Sequence, residues 1–191
     1  MKSMWMLLGL ILLCSTSQAS AADMRLDLNI PEVNVEGLQG NGQMVALWVE
    51  DARKETILGK NLQDENVVLK GDVAAAVMAS FSSTLRTAGF RVEPFRDNAP
   101  VAMLIRIQSL SYASKKNFMT STAKLDCKLQ VTLSRSGIMK KERTLGTSGE
   151  FTLPWRPNKD RVAELVSEIL HDNVLAVLQD ADTTAFLTKA P

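Results

Sequence analysis

The stretch that decides the fold is AKLDCKLQVTL, residues 123–133. Its odd-numbered residues are all apolar and its even-numbered residues are all polar. Successive side chains of a β-strand point to opposite faces, so this pattern is typical of a strand with one face in a core and the other in water. Antiparallel sheets commonly expose one face in this way. The stretch therefore predicts a long antiparallel strand within the core sheet.

The segments next to this stretch are predicted to be its neighbours in the sheet. Residues 101–112 form a strand whose inward face changes near Ser109, which indicates a β-bulge. Residues 135–137 (Arg-Ser-Gly) predict a hairpin turn into a further strand at 138–151. Two shorter strands complete the set, at residues 43–50 and 90–95.

Two segments carry apolar residues at helical spacing. The first begins after Asp72, a good N-cap residue, and Gly89 closes it. The second begins after Asn158 and ends near Leu178. Trp155 lies between two prolines, just before this second helix. It either covers the end of the core or is an exposed anchor. The sequence thus predicts an α+β fold, with an antiparallel-dominated sheet of roughly four to five strands and two helices packed on one face, in the order β-α-β-β-β-β-α.

The N-terminus carries an export signal. Lys2, an apolar run over 4–14 and a small-residue stretch ending at Ala21 match a signal peptide over 1–21. The run is about half of the roughly 20 residues that a spanning helix needs. With no second candidate, we expect no transmembrane span after signal removal. The chain has 22 basic and 21 acidic residues, and signal removal takes Lys2 away, so the neutral mature chain is not expected to bind nucleic acid.

Two processing routes fit this segment. Ala19 and Ala21 satisfy the small-residue rule of the general signal peptidase, which would cut after Ala21 and discard Cys14. Cys14, however, ends the apolar run, where a bacterial lipoprotein carries its lipidated cysteine, although the preceding Leu13 is larger than that route prefers. Neither route leaves Cys127 a partner for an intrachain disulfide, and its position on the apolar strand face predicts a buried core side chain.

The mature chain is expected to form one domain preceded by a tether. Residues 22–41 are polar and interrupted by glycine, so we expect a flexible tether or a loosely docked N-terminal arm. Residues 24–29 alternate weakly and are compatible with an edge strand, whereas Pro31 prevents a central position in a sheet. A single α+β domain then covers 42–191. Within it, residues 51–68 are predicted to be a long polar connection and residues 180–191 a short tail.

Several short motifs together resemble a known family. They are VEDAR at 49–53, LG at 58–59, the segment 85–92 that closes the first helix, the strand end at 107–112, and 180–187 at the end of the chain. In this order and spacing they resemble the YajG-like lipoproteins of Gram-negative bacteria over nearly the whole mature region. The resemblance implies a small α+β periplasmic domain, held at the outer membrane by an N-terminal lipid, with no established activity. It also brings lipidation of Cys14 level with cleavage after Ala21, because the separation of Cys14 and Pro31 is similar to that in the family.

The sequence contains no recognisable catalytic set. His171 is the only histidine, and it has no nucleophile at a helical neighbour position, so we expect a structural role. One histidine and no cysteine pair exclude the familiar zinc spacings, and no phosphate loop or nucleophile elbow is present. We therefore expect no cofactor, no metal and no enzymatic activity, but an accessory or binding protein of the cell envelope. A hydrolase site that gathers Asp51, Arg53 or His171 is the enzymatic alternative.

Two polar groupings are candidate binding features. Asp51 and Arg53 stand where the first strand passes into a long loop, and they form either a loop-anchoring ion pair or a ligand pair. Residues 101–150 carry nine basic side chains against three acidic ones. The candidate face for an anionic partner consists of Arg106, Lys124, Lys128, Lys140 and Lys141. Its partner would be an envelope protein of a larger assembly or an anionic lipid surface, and the alternative is a solvated face whose lysines discourage aggregation.

Overall fold

The computed structural model describes residues 23–189, which form eight strands and three helices. The strands are β1 (Asp23–Leu26), β2 (Met44–Asp51), β3 (Ile57–Lys60), β4 (Asn66–Leu69), β5 (Arg91–Pro94), β6 (Ala102–Lys116), β7 (Thr120–Arg135) and β8 (Met139–Pro154). The helices are α1 (Val73–Thr87), α2 (Lys159–Gln179) and α3 (Ala181–Thr188). The predicted α+β class is confirmed. The signal peptide and Cys14 lie outside the described residues.

The three long strands β6, β7 and β8 form the antiparallel body of the main sheet. The apolar residues of the opening stretch lie on β7, and Leu125, Cys127 and Leu129 are at most 1% exposed. The register between β6 and β7 shifts between Ile107 and Ser109, so the bulge predicted near Ser109 is confirmed. Alternation along β7 therefore puts one face of the sheet in the core and the other in solvent.

The other half of the main sheet is parallel. Its strand order is β5-β2-β6-β7-β8, and β2 pairs in parallel with both β5 and β6. Parallel neighbours need a long crossover, and α1 lies in the connection between β2 and β5. The sheet is thus antiparallel along its long strands and parallel at its β5–β2 edge.

A second sheet, of order β1-β4-β3, occupies regions expected to be an arm and a loop. β1 pairs with β4, and Leu26, Val33 and Leu38 are buried in the core, so residues 23–41 are docked rather than free. Residues 51–68 hold β3 and most of β4 rather than a polar loop. These strands have four residues each, which is too short to show clear alternation in the sequence.

The helices α1 and α2 pack on the inner face of the main sheet in one apolar core, with Phe81 and Leu165 fully buried. Both predicted N-caps are confirmed: Asp72 Oδ1 accepts from two backbone N–H groups of α1, and Asn158 Oδ1 accepts from one of α2. After α1, Gly89 has a φ of 86°, the left-handed conformation that favours glycine.

Helix α3 occupies the region expected to be a tail. Asp180 caps it, since its Oδ2 accepts from the backbone N and the hydroxyl of Thr183 at 3.0 Å each. Phe186 and Leu187 fix α3 in the core with 9% and 0% exposure. Eight residues with two anchoring apolar side chains give too weak a periodic signal for the sequence to predict this helix.

The opposite face of the main sheet, called the outer face below, is polar and largely open to solvent. Cross-strand neighbours share a face, so the registers assign the following residues to it: Trp48, Glu50, Arg106, Lys124, Asp126, Lys128, Gln130 and Glu142. One end of the outer face is covered, where Ala46, Ala99 and Ala102 form a small buried cluster with Phe95.

Candidate functional site

The Asp51–Arg53 pair is a bidentate ion pair. Arg53 Nε and Nη2 donate to the two carboxylate oxygens of Asp51 at 2.8 Å each, and the backbone N–H of Arg53 adds a third bond at 3.2 Å. The side chain of Arg53 is only 7% exposed. The hydrogen bonds from Arg53 lower the pKa of Asp51, against the opposing effect of partial burial.

This pair lies where the two sheets meet. Asp51 is paired with Ile107 at the end of the β2–β6 ladder, immediately before the bulge. Beyond the bulge, β6 runs beside β3, and the Ser114 hydroxyl donates to the Lys60 carbonyl at 3.2 Å. The approach is close, because a Cβ on Gly59 would lie 1.8 Å from the carbonyl oxygen of Tyr112. Arg53 therefore fills the junction that the departure of β6 from β2 creates.

Two clefts flank the pair. One of 430 Å³ is lined by Arg25, Lys70 and Asp72 together with the pair, and one of 540 Å³ is lined by Lys54, Gln108 and Gln130 together with Arg53. Both carboxylate oxygens of Asp51 are engaged, and Arg53 Nη1 is buried without a hydrogen-bond partner rather than open to a cleft. The geometry favours the loop-anchoring interpretation over ligand contact.

The predicted basic face is only partly assembled. Arg106, Lys124 and Lys128 share the outer face, and Lys140 extends it at the edge strand β8. Arg106 Nε donates to Glu50 at 2.9 Å, while Lys124 lies 3.7 Å from Asp126 and Lys140 lies 3.9 Å from Asp97. Within residues 23–189, Lys128 has no acidic group within 4.0 Å. Acidic neighbours thus offset most of the charge that the sequence concentrates here.

Lys141 does not belong to this face, which corrects the prediction. It is paired with Leu133, whose side chain is buried on the inner face, and one residue along a strand reverses the side-chain direction. Its ammonium group lies 2.7 Å from Asp182, and this hydrogen bond lowers the pKa of that carboxyl. Arg143 likewise reaches Asp180 and Asp182 at 3.1 and 3.0 Å. Both residues fasten α3 to β8.

The remaining reactive side chains are not gathered into a site. His171 Nδ1 lies 3.1 Å from Asp172, and neither cleft beside Arg53 is lined by this histidine. Cys127 is buried, and burial raises the pKa of its thiol to about 12. Among the described residues, no three His, Cys, Asp or Glu side chains are arranged to hold a metal ion.

The turn between β6 and β7 exposes apolar residues that were not predicted as functional from the sequence. Phe118 and Met119 are 93% and 76% exposed there. Trp155 lies beside the base of this turn and is 45% exposed. This exposure is intermediate between that of a side chain covering the core and that of an exposed anchor. The signal was present in the sequence as two adjacent large apolar residues inside the polar stretch KKNFMTS, 115–121. Apolar residues in a predicted turn cannot be assigned to the core and indicate a contact surface.

The comparison with protein families finds a match over most of the chain. A family model described as an uncharacterized lipoprotein matches residues 31–188. The chain belongs to this lipoprotein family. The match covers most of the folded region and confirms the resemblance to the YajG-like lipoproteins. A search of curated proteins finds no match for this chain. Over residues 23–189, its helices are too short or too polar to cross a bilayer.

Three solved structures are similar to this chain at low identity. A protein of Xanthomonas campestris is 10% identical with a TM-score of 0.49, covering 86% of this chain and 92% of that one. The rare lipoprotein B of Shewanella oneidensis is 14% identical with a TM-score of 0.45, covering 74% and 96%. A minor lipoprotein of Acinetobacter baumannii is 10% identical with a TM-score of 0.42, covering 78% and 97%. With TM-scores below 0.5, these similarities identify neither a shared fold nor a shared function.

Proposed function

We propose that this chain is a non-catalytic accessory or binding protein of the cell envelope. It is exported to the periplasm and, on the lipoprotein route, is held at the outer membrane by Cys14. The observation that carries the proposal is the lipoprotein-family match over 31–188, because it spans the folded domain rather than an N-terminal signal alone. The open outer face supports a role in contact, since the helices cover only the inner face.

The experiment is mass spectrometry of the mature N-terminus together with cell fractionation. A diacylated or triacylated Cys14 in the outer-membrane fraction supports the anchored form, and a free Ala22 in the periplasm supports the released form. A chain that keeps Met1 and fractionates with the cytoplasm contradicts the proposal. A matched Cys14→Ser variant separates the two routes, because it abolishes lipidation and leaves the cleavage site at Ala21 intact.

The second candidate is a subunit of a larger envelope assembly that contacts an anionic partner through the outer face. Lys128 favours it, because this residue contributes an uncompensated positive charge between the Arg106–Glu50 and Lys124–Asp126 pairs. The surface is narrower than the sequence predicts, since Lys141 is turned away from it.

Crosslinked co-purification from native membranes tests this candidate. Reversal of Lys124, Lys128 and Lys140 to Glu should abolish capture of an anionic partner, because like charges then face each other. The control reverses Lys60, Lys70 and Lys159, which are exposed residues away from the outer face. A partner that both triple variants retain equally would remove the outer face from consideration.

A further inference from the structure

The turn between β6 and β7 exposes a patch of apolar side chains. We call Phe118, Met119 and Trp155 the hairpin tip. Phe118 and Met119 belong to the three-residue connection between the two strands, and their side chains are largely exposed to solvent. Trp155 follows Pro154, which pairs with Thr120 at the base of the turn, so the three side chains occupy the same end of the sheet. Isolated exposed apolar residues are ordinary, but a cluster of large ones marks an interaction site.

The rim of the hairpin tip is basic. Lys115 and Lys116 end β6, Arg156 follows Trp155, and all three are exposed. Lys116 Nζ lies 4.0 Å from the centre of the Trp155 ring, which is a cation–π contact. Residues 112–125 and 151–159 contain no Asp or Glu. In the described part of the chain, no acidic group lies within 4.0 Å of these three cations, in contrast to most basic residues of the outer face.

The shape of the turn does not depend on its apolar side chains. The backbone N–H of Asn117 donates to the Thr120 carbonyl at 2.9 Å, and its side-chain amide donates to the Thr122 hydroxyl at 2.9 Å. The Ser121 hydroxyl donates to the Pro154 carbonyl at 2.8 Å, which ties the end of β8 to β7. Hydrogen bonds therefore maintain the hairpin, and the side chains of Phe118 and Met119 are available for contact outside the protein.

We propose that the hairpin tip inserts into the interface of an anionic lipid bilayer, with Lys115, Lys116 and Arg156 against the lipid phosphates. Interfacial binding combines burial of apolar area with attraction to anionic lipids, and Trp side chains favour the headgroup level. A neutral apolar groove of a protein would accept Phe118 and Met119 but would leave the three cations of the rim uncompensated. Charge complementarity therefore favours the lipid surface.

Fluorescence of Trp155 reads out this contact directly. The full chain is expressed as a Cys14→Ser, Trp48→Phe variant, so that no lipid is attached and cleavage after Ala21 also removes Trp5. Trp155 is then the single tryptophan, because the chain has three. The purified protein is mixed with vesicles of brominated phosphatidylcholine, with or without phosphatidylglycerol. We expect quenching and a blue shift with phosphatidylglycerol, and weakening by added salt.

Two variants and a matched control separate the contributions. Replacement of Phe118 and Met119 by Ser should raise the vesicle concentration for half-quenching about tenfold or more. Replacement of Lys115, Lys116 and Arg156 by Gln should raise it about a hundredfold, since each basic residue near an anionic surface contributes about fivefold. Ile138→Ser should change nothing, because Ile138 is as exposed, at 90%, but lies in the turn at the opposite end of β7.

The same assay can overturn the proposal. Absence of quenching with phosphatidylglycerol, equal quenching by phosphatidylcholine alone, or unchanged quenching after replacement of Phe118 and Met119 each contradicts it. A crosslink from position 118 to an envelope protein, without lipid quenching, assigns the tip to a protein partner instead. The inference rests on the proposed envelope location, but different results refute the two. Fractionation of the chain with the cytoplasm refutes the envelope location. Absence of Trp155 quenching, in a chain that fractionates with the envelope, refutes only the insertion of the hairpin tip into lipid.

Discussion

The two ends of the main sheet differ in whether their basic side chains are paired with acidic ones. At the end that holds the β7–β8 turn, called the closed end below, Lys141 and Arg143 are paired with the acidic residues that begin α3. At the end that holds the hairpin tip, Lys116 and its basic neighbours face solvent beside exposed apolar side chains. The basic excess of residues 101–150 is therefore not one surface. Three of its nine basic residues, Arg135, Lys141 and Arg143, hold α3 at the closed end. Lys115 and Lys116 are exposed at the other end, without an acidic partner among the described residues.

The largest expected effect tests the scaffold that both ends share. Leu129→Ala should lower the free energy of unfolding by about 2–5 kcal/mol, because Leu129 is 0% exposed and its truncation leaves a cavity in the sheet–helix core. Phe118→Ala should change it by less than about 0.5 kcal/mol, since Phe118 is 93% exposed. Urea unfolding followed by circular dichroism measures both. If both variants lose similar amounts of unfolding free energy, Phe118 is packed against the protein and the hairpin tip is not an exposed contact surface.

The buried residues of β7 show which parts of the fold can be predicted from the sequence. Leu125, Cys127 and Leu129 could be assigned to the core because alternation over a long strand repeats the same signal many times. Short elements lack that repetition, so β3, β4 and α3 were missed and the region of β1 showed only a weak edge-strand pattern, although Leu26 and Leu187 are buried. Their positions depend on partners distant in the chain, such as the pairing of β1 with β4.

The candidate sites illustrate the same limit. The proximity of Asp51 and Arg53 followed from their spacing, but the burial of Arg53 depends on the departure of β6 from β2, which no local pattern encodes. The charge excess was visible in composition, whereas its division between two ends required the register. Lys140 and Lys141 are neighbours in sequence, yet they point to opposite faces of β8.

The next effect concerns the sheet junction. Arg53→Ala should destabilise the fold by about 2–4 kcal/mol, because it leaves the Asp51 carboxylate without its bidentate partner and empties a largely buried space. Arg106→Ala is the matched control. It also breaks a pair with an acidic neighbour, but its side chain is 40% exposed, so a loss below about 1 kcal/mol is expected. Equal losses in urea unfolding would place Arg53 outside the core.

A smaller effect is expected at the closed end. Arg135 Nη2 donates to the Phe186 carbonyl at 2.7 Å and Nη1 to the Lys189 carbonyl at 3.0 Å, which holds α3 from its C-terminal end. Arg135→Ala should cost about 1–2 kcal/mol and should accelerate hydrogen exchange in α3. Lys116→Ala at the opposite end should leave exchange in α3 unchanged. Slow exchange in α3 of the Arg135 variant would show that the closed end does not need this anchor.

The smallest effect is a dependence on pH. The folded-state pKa of Asp51 lies below its ordinary value of 3.8, so its contribution to stability is fully present above that value and is lost as the pH falls through the folded pKa. Asp51→Asn should therefore flatten the decline of the unfolding free energy below about pH 4. Urea unfolding at several pH values from about 6 to 2.5 measures it. If the free energy of unfolding falls with pH in the same way in the wild-type protein and in the Asp51→Asn variant, the ion pair with Arg53 does not stabilise the ionised carboxylate of Asp51.

The most direct measurement of the difference between the two ends is photo-crosslinking in living cells from positions 118 and 138. Both side chains are at least 90% exposed, and they lie in turns at opposite ends of the sheet. We predict that a photoreactive residue at position 118 captures envelope lipid, whereas one at position 138 captures none. Lipid capture that is equal at the two positions, or confined to position 138, would contradict the assignment of contact to the hairpin tip.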